Sequence, residues 1–249
     1  MIMKHFDILI LIARPAAGKS EVIKYLSELA ADTRKKEFHL GDLVVLDDFP
    51  MLWRWFEEDA LLAKMGMARL YTDENGYFTD NSYWHLLIRL IDLDYKKLVT
   101  KEPAFHEKGS VIIEFSRGSE HGGYREALAQ IPAEMLARAS ILYVSVPFEE
   151  SYRKNRRRYN PENADSILEH SVPDEKMQKL YAEDDWQVLT KDSPGFLTVN
   201  GVQVPYVTFE NSDDVTTRGG KELEVRLKDA IDQLWSRKCD HPSATIHSQ

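Results

Sequence analysis

Residues 6 to 20 constrain this chain more than any other stretch. Phe6-Asp7-Ile8-Leu9-Ile10-Leu11-Ile12-Ala13 becomes a run of branched apolar residues without polar alternation. Such a run reads as a strand buried on both faces, in the middle of a parallel sheet. It stops at a small-residue loop, Arg14-Pro15-Ala16-Ala17, ending in Gly18-Lys19-Ser20. A helical pattern follows at once, with Val22, Ile23, Leu26, Leu29 and Ala30 on one face. Strand, loop, Gly-Lys-Ser and helix together have the physical form of an anion cradle. Amides of the loop and of the helix N-terminus wrap an anion, and the helix dipole favours negative charge there. A phosphate chain suits that form, with Lys19 reaching its outer phosphates and the Ser20 hydroxyl placed to bind Mg2+.

Downstream, apolar runs at Leu43–Leu46, Ser110–Phe115, Ile141–Val146 and Pro205–Phe209 alternate with helical patterns. Strands joined through helices need crossovers, so the expected fold is α/β: a three-layer αβα sandwich on a five-stranded parallel sheet. Asp32–Glu37 reads as a solvated connection. Helices are expected over 51–67, from Asn81-Ser82 onward, from Phe148 to Tyr159, over 173–187 and from Lys221 to Trp235. Phe196–Val204 around Asn200-Gly201 reads as a hairpin. No repeat or long linker divides the chain, so residues 1–240 are expected as one domain, with 241–249 a disordered tail. The segments 51–100 and 148–187 are expected as helical inserts over the sheet's carboxyl edge, where ligands bind in open α/β sheets.

Composition narrows the classes. A net charge of −9 argues against general nucleic-acid binding. A single cysteine, Cys239, excludes a disulfide framework or a Cys-rich zinc site. No stretch reaches membrane-spanning length and the apolar start lacks a cleavage segment, so a cytoplasmic protein with no membrane partner is expected.

The stretch Ala13–Ser20 resembles the Gly-x4-Gly-Lys-Ser/Thr loop (Walker A) of P-loop proteins, with Ala13 in the first glycine's place. The resemblance implies ATP and Mg2+ as cofactors, bound along Ala13, Arg14, Pro15, Ala16, Ala17, Gly18, Lys19, Ser20 and Glu21. Glu114, at the end of the third strand, then takes the Walker B role with Ser20 at the metal; a plain strand-end cap is its other reading. Asp47-Asp48-Phe49-Pro50 resembles the Asp-Asp/Ser-Phe-Tyr stretch of uridine kinase and phosphoribulokinase relatives. That makes Asp47 or Asp48 the general base, Asp47 first as nearer the strand; the alternative is a pair of helix caps. Phe115-Ser116-Arg117-Gly118, directly after Glu114, resembles the Glu-Arg-Ser segment of deoxynucleoside kinases with the Arg displaced, and implies Arg117 over the acceptor or its phosphate; a surface-loop arginine is its other reading.

Arg153, Lys154, Arg156, Arg157 and Arg158 form the densest positive cluster in an acidic chain. They resemble the helix of a kinase LID, whose arginines (Arg153 and Arg157 here) close on the phosphates. The Glu210–Asp214 stretch resembles an adenine loop, with Asn211 and Asp213 as base contacts. The segments Trp53–Phe56 and Tyr71–Trp84 are rich in aromatic residues and form either an acceptor pocket or core. The resemblance therefore implies a P-loop kinase of the nucleoside/nucleotide type, moving the γ-phosphoryl group of ATP to a small acceptor. Monomer and homodimer both remain open. The rival expectation is a non-catalytic ATP-binding regulatory module with the same fold.

Overall fold

Strand β1 (Ile8–Ala13) has no polar side chain, and all six of its residues are buried. In the computed structural model, which describes residues 5–158 and 172–240, it lies inside the sheet between two parallel neighbours. These are β3 (Gly109–Phe115) and β4 (Ala139–Ser145), with Ile10 level with Ile113 on one side and Ile141 on the other. Strand β2 (Asp42–Asp47) pairs outside β3, and β6 (Val202–Glu210) outside β4, both parallel. The short β5 (Phe196–Val199) pairs antiparallel with β6, so the order is β2-β3-β1-β4-β6-β5.

The sheet is therefore mixed and six-stranded, where five parallel strands were expected. The expected hairpin is real, and its first arm is the extra strand. Asn200 and Gly201 both have positive φ (49° and 77°), as a two-residue turn matching strand twist requires. That turn folds β5 directly onto β6.

Alternation along β1 divides the apolar residues between two faces. Ile8, Ile10 and Ile12 pack with α4 (Ser82–Lys101), α5 (Gly123–Ala129), α6 (Ala133–Arg138) and Trp186 of α9 (Trp186–Thr190). Leu9, Leu11 and Ala13 pack with α1 (Lys19–Glu28), Phe38 of α2 (Ala31–Phe38) and the closing helix α11 (Gly220–Asp240). Helices thus cover both faces. Helix α2 occupies what reads as a solvated connection. Its reason is Arg34, a buried side chain that donates to the carbonyls of Leu26, Leu29 and Gly41 and so fixes the segment as a turn of structure. The helix expected over 173–187 is split into α8 (Asp174–Tyr181) and α9, since Asp184 and Asp185 turn back to bond Tyr143, Tyr124 and Arg125. Among the described residues, no helix is long and apolar enough to cross a membrane. The expected tail 241–249 and the last residue, 159, of the helix expected from Phe148 lie outside the described residues.

A third, smaller core sits by the carboxyl edge, where α3 (Phe49–Lys64) and α4 enclose Leu52, Trp55, Trp84 and Leu87. Its loop is tied down by one carboxylate. Asp59, fully buried, accepts from the amides of Leu70 (2.7 Å), Tyr71 (3.1 Å) and Thr72 (2.6 Å) and from the Thr72 hydroxyl (2.7 Å). Burial opposes the charge, but these donors outweigh it and hold the Asp59 carboxyl below its ordinary range. Asp59→Ala should leave the buried Thr72 amide and hydroxyl without their acceptor and lower the unfolding free energy by about 3 kcal/mol; urea denaturation of the two proteins measures it.

Candidate functional site

The loop between β1 and α1 is bent by two residues with positive φ, Ala16 (55°) and Gly18 (109°). At Gly18 a Cβ would lie 2.4 Å from Thr216 Oγ1 and 2.7 Å from Asn211 Nδ2, so only glycine fits the packing as well as the dihedral. The loop is braced from several directions. Asn211, fully buried after β6, donates to the Ala17 carbonyl and to Thr216 Oγ1 (2.8 Å each). Ser151 of α7 (Phe148–Arg158) donates to the Pro15 carbonyl at 2.6 Å. Arg14 points away from the loop's hollow, donating to the carbonyls of Val146, Tyr181 and Ala182 and pairing with Asp184 at 2.9 Å.

Lys19 opens α1 with its side chain mostly buried. Its ammonium donates to Ser116 Oγ at 2.7 Å and stands 3.8 Å from a Glu114 carboxylate oxygen. Ser20 is exposed at the same helix end, with Glu21 half-buried behind it. Strand register supplies the acids: Asp47 ends β2 level with Glu114 of β3. The two carboxylates therefore lie side by side on the edge facing the loop. Asp47 accepts from the Phe49 amide at 2.9 Å, the cap-like bond anticipated for this pair, while Asp48 makes no such bond. Burial, followed by the repulsion of Glu114 and Asp48, pushes the Asp47 carboxyl up to about 7, against the pull of the Phe49 amide and Lys19.

Asp48 has a different partner. It is buried against Arg117, itself 1% exposed, at 2.6 Å. Arg117 also donates to the carbonyls of Ser116 (2.7 Å) and Trp84 (3.0 Å), and lies near the rings of Trp84 and Phe115. Its donors are thus engaged within the wall. Beside it, His121 stacks on Trp84 and takes the Gly118 amide on Nδ1, and burial with the Arg117 charge drives its pKa down to about 3.

These groups face one cavity of about 830 Å3, which runs from Lys19 and Ser20 past Asp47 and Glu114 to the aromatic side chains of the third core. Trp53 and Trp84 both line it; Trp84 belongs to the third core as well, whereas Trp53 is half-buried beside Phe49.

The other expected contacts fall elsewhere. Arg153 is half-exposed, held by Glu150 at 2.6 Å, and Arg157 is exposed; neither lines the cavity, to which α7 contributes Asn155. Lys154 is spent on Asp214 and Arg156 on Asp174. Asn211 braces the loop with both ends of its side-chain amide. Asp213 is held by Arg218 and Arg226. Sequence reasoning missed Ser116, which follows Glu114 by two residues and could have been found there. It also missed Lys176, Lys179 and Tyr181 of α8, whose approach depends on the chain doubling back through Asp184.

No protein-family model matches the chain, and no curated protein matches it. Among the described residues, no three or more His, Cys, Asp or Glu side chains form a ready-made metal cage.

The raised Asp47 carboxyl has a signature in stability. The unfolded chain gives up this proton near 3.8 and the folded chain near 7, so the folded state holds more protons in between. The group's contribution to stability therefore falls as pH rises through that window. Asp47→Asn should match the wild type near pH ~4 and exceed it by about 4 kcal/mol above pH ~7. Urea denaturation across the range checks this; a gap that does not change with pH contradicts the assignment.

Proposed function

We propose that the protein is an ATP-dependent phosphotransferase that moves the γ-phosphoryl group to a small acceptor. One observation carries the reading: the Gly18-Lys19-Ser20 loop, two level carboxylates and an aromatic-walled hollow all open onto a single cavity. Phosphoryl transfer asks the protein for positioning and for charge at the moving group, and little covalent chemistry. The loop amides and Lys19 bind the phosphate chain; the P-loop likeness of Ala13–Ser20 supports this. In the free protein the Lys19 ammonium rests against Ser116 and Glu114, so a place for positive charge is already built and oriented.

The acceptor occupies the aromatic end of the cavity. Asp47, its carboxyl held near neutrality, takes the proton of the acceptor hydroxyl as that oxygen bonds to phosphorus. The bond from phosphorus to the β–γ bridging oxygen breaks, ADP leaves, and Asp47 passes the proton to solvent. Asp48 acts through Arg117: the pair fixes the wall on which Asp47 stands.

A hard divalent cation suits oxygen donors, few of them from protein and the rest from phosphate and water. Ser20 and Glu114 offer such donors at the loop and would hold Mg2+. The ion would supply charge neutralisation on the phosphates.

The rival reading, an ATP-binding module without transfer, draws on Arg117 and Arg153 each being paired with a carboxylate of the chain itself. Substitution separates the two. Lys19→Ala should cut ATP turnover at least about a hundredfold while near-ultraviolet circular dichroism stays that of the wild type; unchanged turnover removes the assignment. Asp47→Asn should keep binding of a non-hydrolysable ATP analogue and lose transfer to the acceptor by a similar factor. Transfer that survives this change rules out Asp47 as the base.

A further inference from the structure

Two lysines of α8 have no role in the reading above. Lys176 and Lys179 are three positions apart, hence on one face of the helix, and both line the cavity that holds Lys19 and Asp47. The Lys179 ammonium lies 4.2 Å from the centroid of the Tyr77 ring. That of Lys176 lies 5.0 Å from Tyr77 and 5.7 Å from Phe56. Lys176 donates once, to the Gly76 carbonyl at 2.8 Å. Gly76 has φ +71°, and a Cβ there would stand 2.6 Å from the ammonium, so the glycine turn leaves the space that the charge fills.

Among the described residues neither lysine is ion-paired with a carboxylate. Burial holds the Lys176 ammonium below the usual lysine range, against the weaker pull of the Asp73 and Glu175 carboxylates. A cation partly withdrawn from water, with donors left over, is best met by an anion. The helix that presents the two charges is fixed. Arg14 holds its last carbonyls, and Gly118 packs so closely that a Cβ there would meet the Leu180 carbonyl at 1.9 Å. The rings beside the lysines come from Phe56 and Tyr77, at the acceptor end of the cavity. Flat aromatic walls suit a flat ligand.

Resting on the phosphotransfer reading, we propose that the acceptor is a ring-bearing molecule that already carries an anionic group, phosphate or carboxylate, bound by Lys176 and Lys179 across the face of Tyr77. The pair thereby sets acceptor specificity, separately from the nucleotide phosphates at Lys19.

Thermal-shift titrations with a non-hydrolysable ATP analogue present test this, using neutral and anionic partners of one shape. The pairs are nucleosides with their 5′-monophosphates, and 4-(hydroxymethyl)benzamide with 4-(hydroxymethyl)benzoate. At least one anionic member should bind at least about tenfold tighter than its neutral partner, and which pair responds tells phosphate from carboxylate. The double variant Lys176→Met/Lys179→Met should lose that preference, and Lys176→Arg/Lys179→Arg should keep it. Both variants should retain the wild-type shift with the ATP analogue alone, which also shows that they are folded. The proposal is overturned if no anionic member binds, if neutral partners bind as well, or if the Met variant keeps the preference. It is equally overturned if the Met variant loses the ATP-analogue shift, since the lysines then serve the nucleotide. Failure of the wild type to respond to the ATP analogue sinks the phosphotransfer reading itself, and this inference with it.

Discussion

A guanidinium taken out of water must be met by charge and by hydrogen bonds, or the fold does not close around it. Arg117 is that group here, 1% exposed at the end of β3. Asp48 supplies the charge from the end of β2, and the carbonyls of Ser116 and Trp84 supply the rest. Removing one partner of such a pair costs about 3–5 kcal/mol, because the survivor stays buried and uncompensated. The ion pair therefore does more than join two side chains. It ties two strand ends to α4, and so fixes the wall between the acid pair and the aromatic hollow.

That arrangement divides the acidic neighbours by environment. Asp48 has a full positive charge in contact. Asp47, next to it in the chain, has its pKa raised by burial and by the repulsion of Glu114 and Asp48, which outweigh the Phe49 amide and Lys19. Two adjacent aspartates thus occupy different electrostatic settings, one in contact with a buried guanidinium and the other held close to taking a proton. The difference arises from strand register, which places Asp47 beside Glu114, and from the turn into α3, which sends Asp48 toward Arg117.

The central strands were legible because burial on both faces leaves a plain mark: β1 is apolar throughout, and β3 and β4 are each built on a short apolar run, 111–113 and 141–142. Gly18 was legible as well, since its conformation and the closeness of Thr216 allow no side chain. The order of strands and the extra β5 were not, because pairing is a long-range choice and Asn200-Gly201 only announces a turn. At the site, Lys19, Asp47 and Glu114 could be placed from their positions at strand and helix ends. The roles of Arg14, Arg117 and Asn211 could not. Each is a polar residue beside a functional motif whose side chain bonds to segments far away in sequence, and spacing carries no record of such partners. Spacing is equally silent on the partners of Arg153, Lys154 and Arg156 of α7: a basic run reads as available charge until the glutamate and aspartates that answer these three are seen.

Arg14 reaches from the loop to the end of α8, and three of its bonds are to main-chain oxygens, those of Val146, Tyr181 and Ala182. A carbonyl is present whatever residue carries it. The strut is thus indifferent to the side chains at 146, 181 and 182, so far as this contact goes, and depends instead on the length of chain delivering those oxygens. Substitutions along that path leave it standing. An insertion or deletion between Pro173 and Trp186 would carry the carbonyls past the guanidinium, and the chain's freedom to vary there is one of identity and not of number.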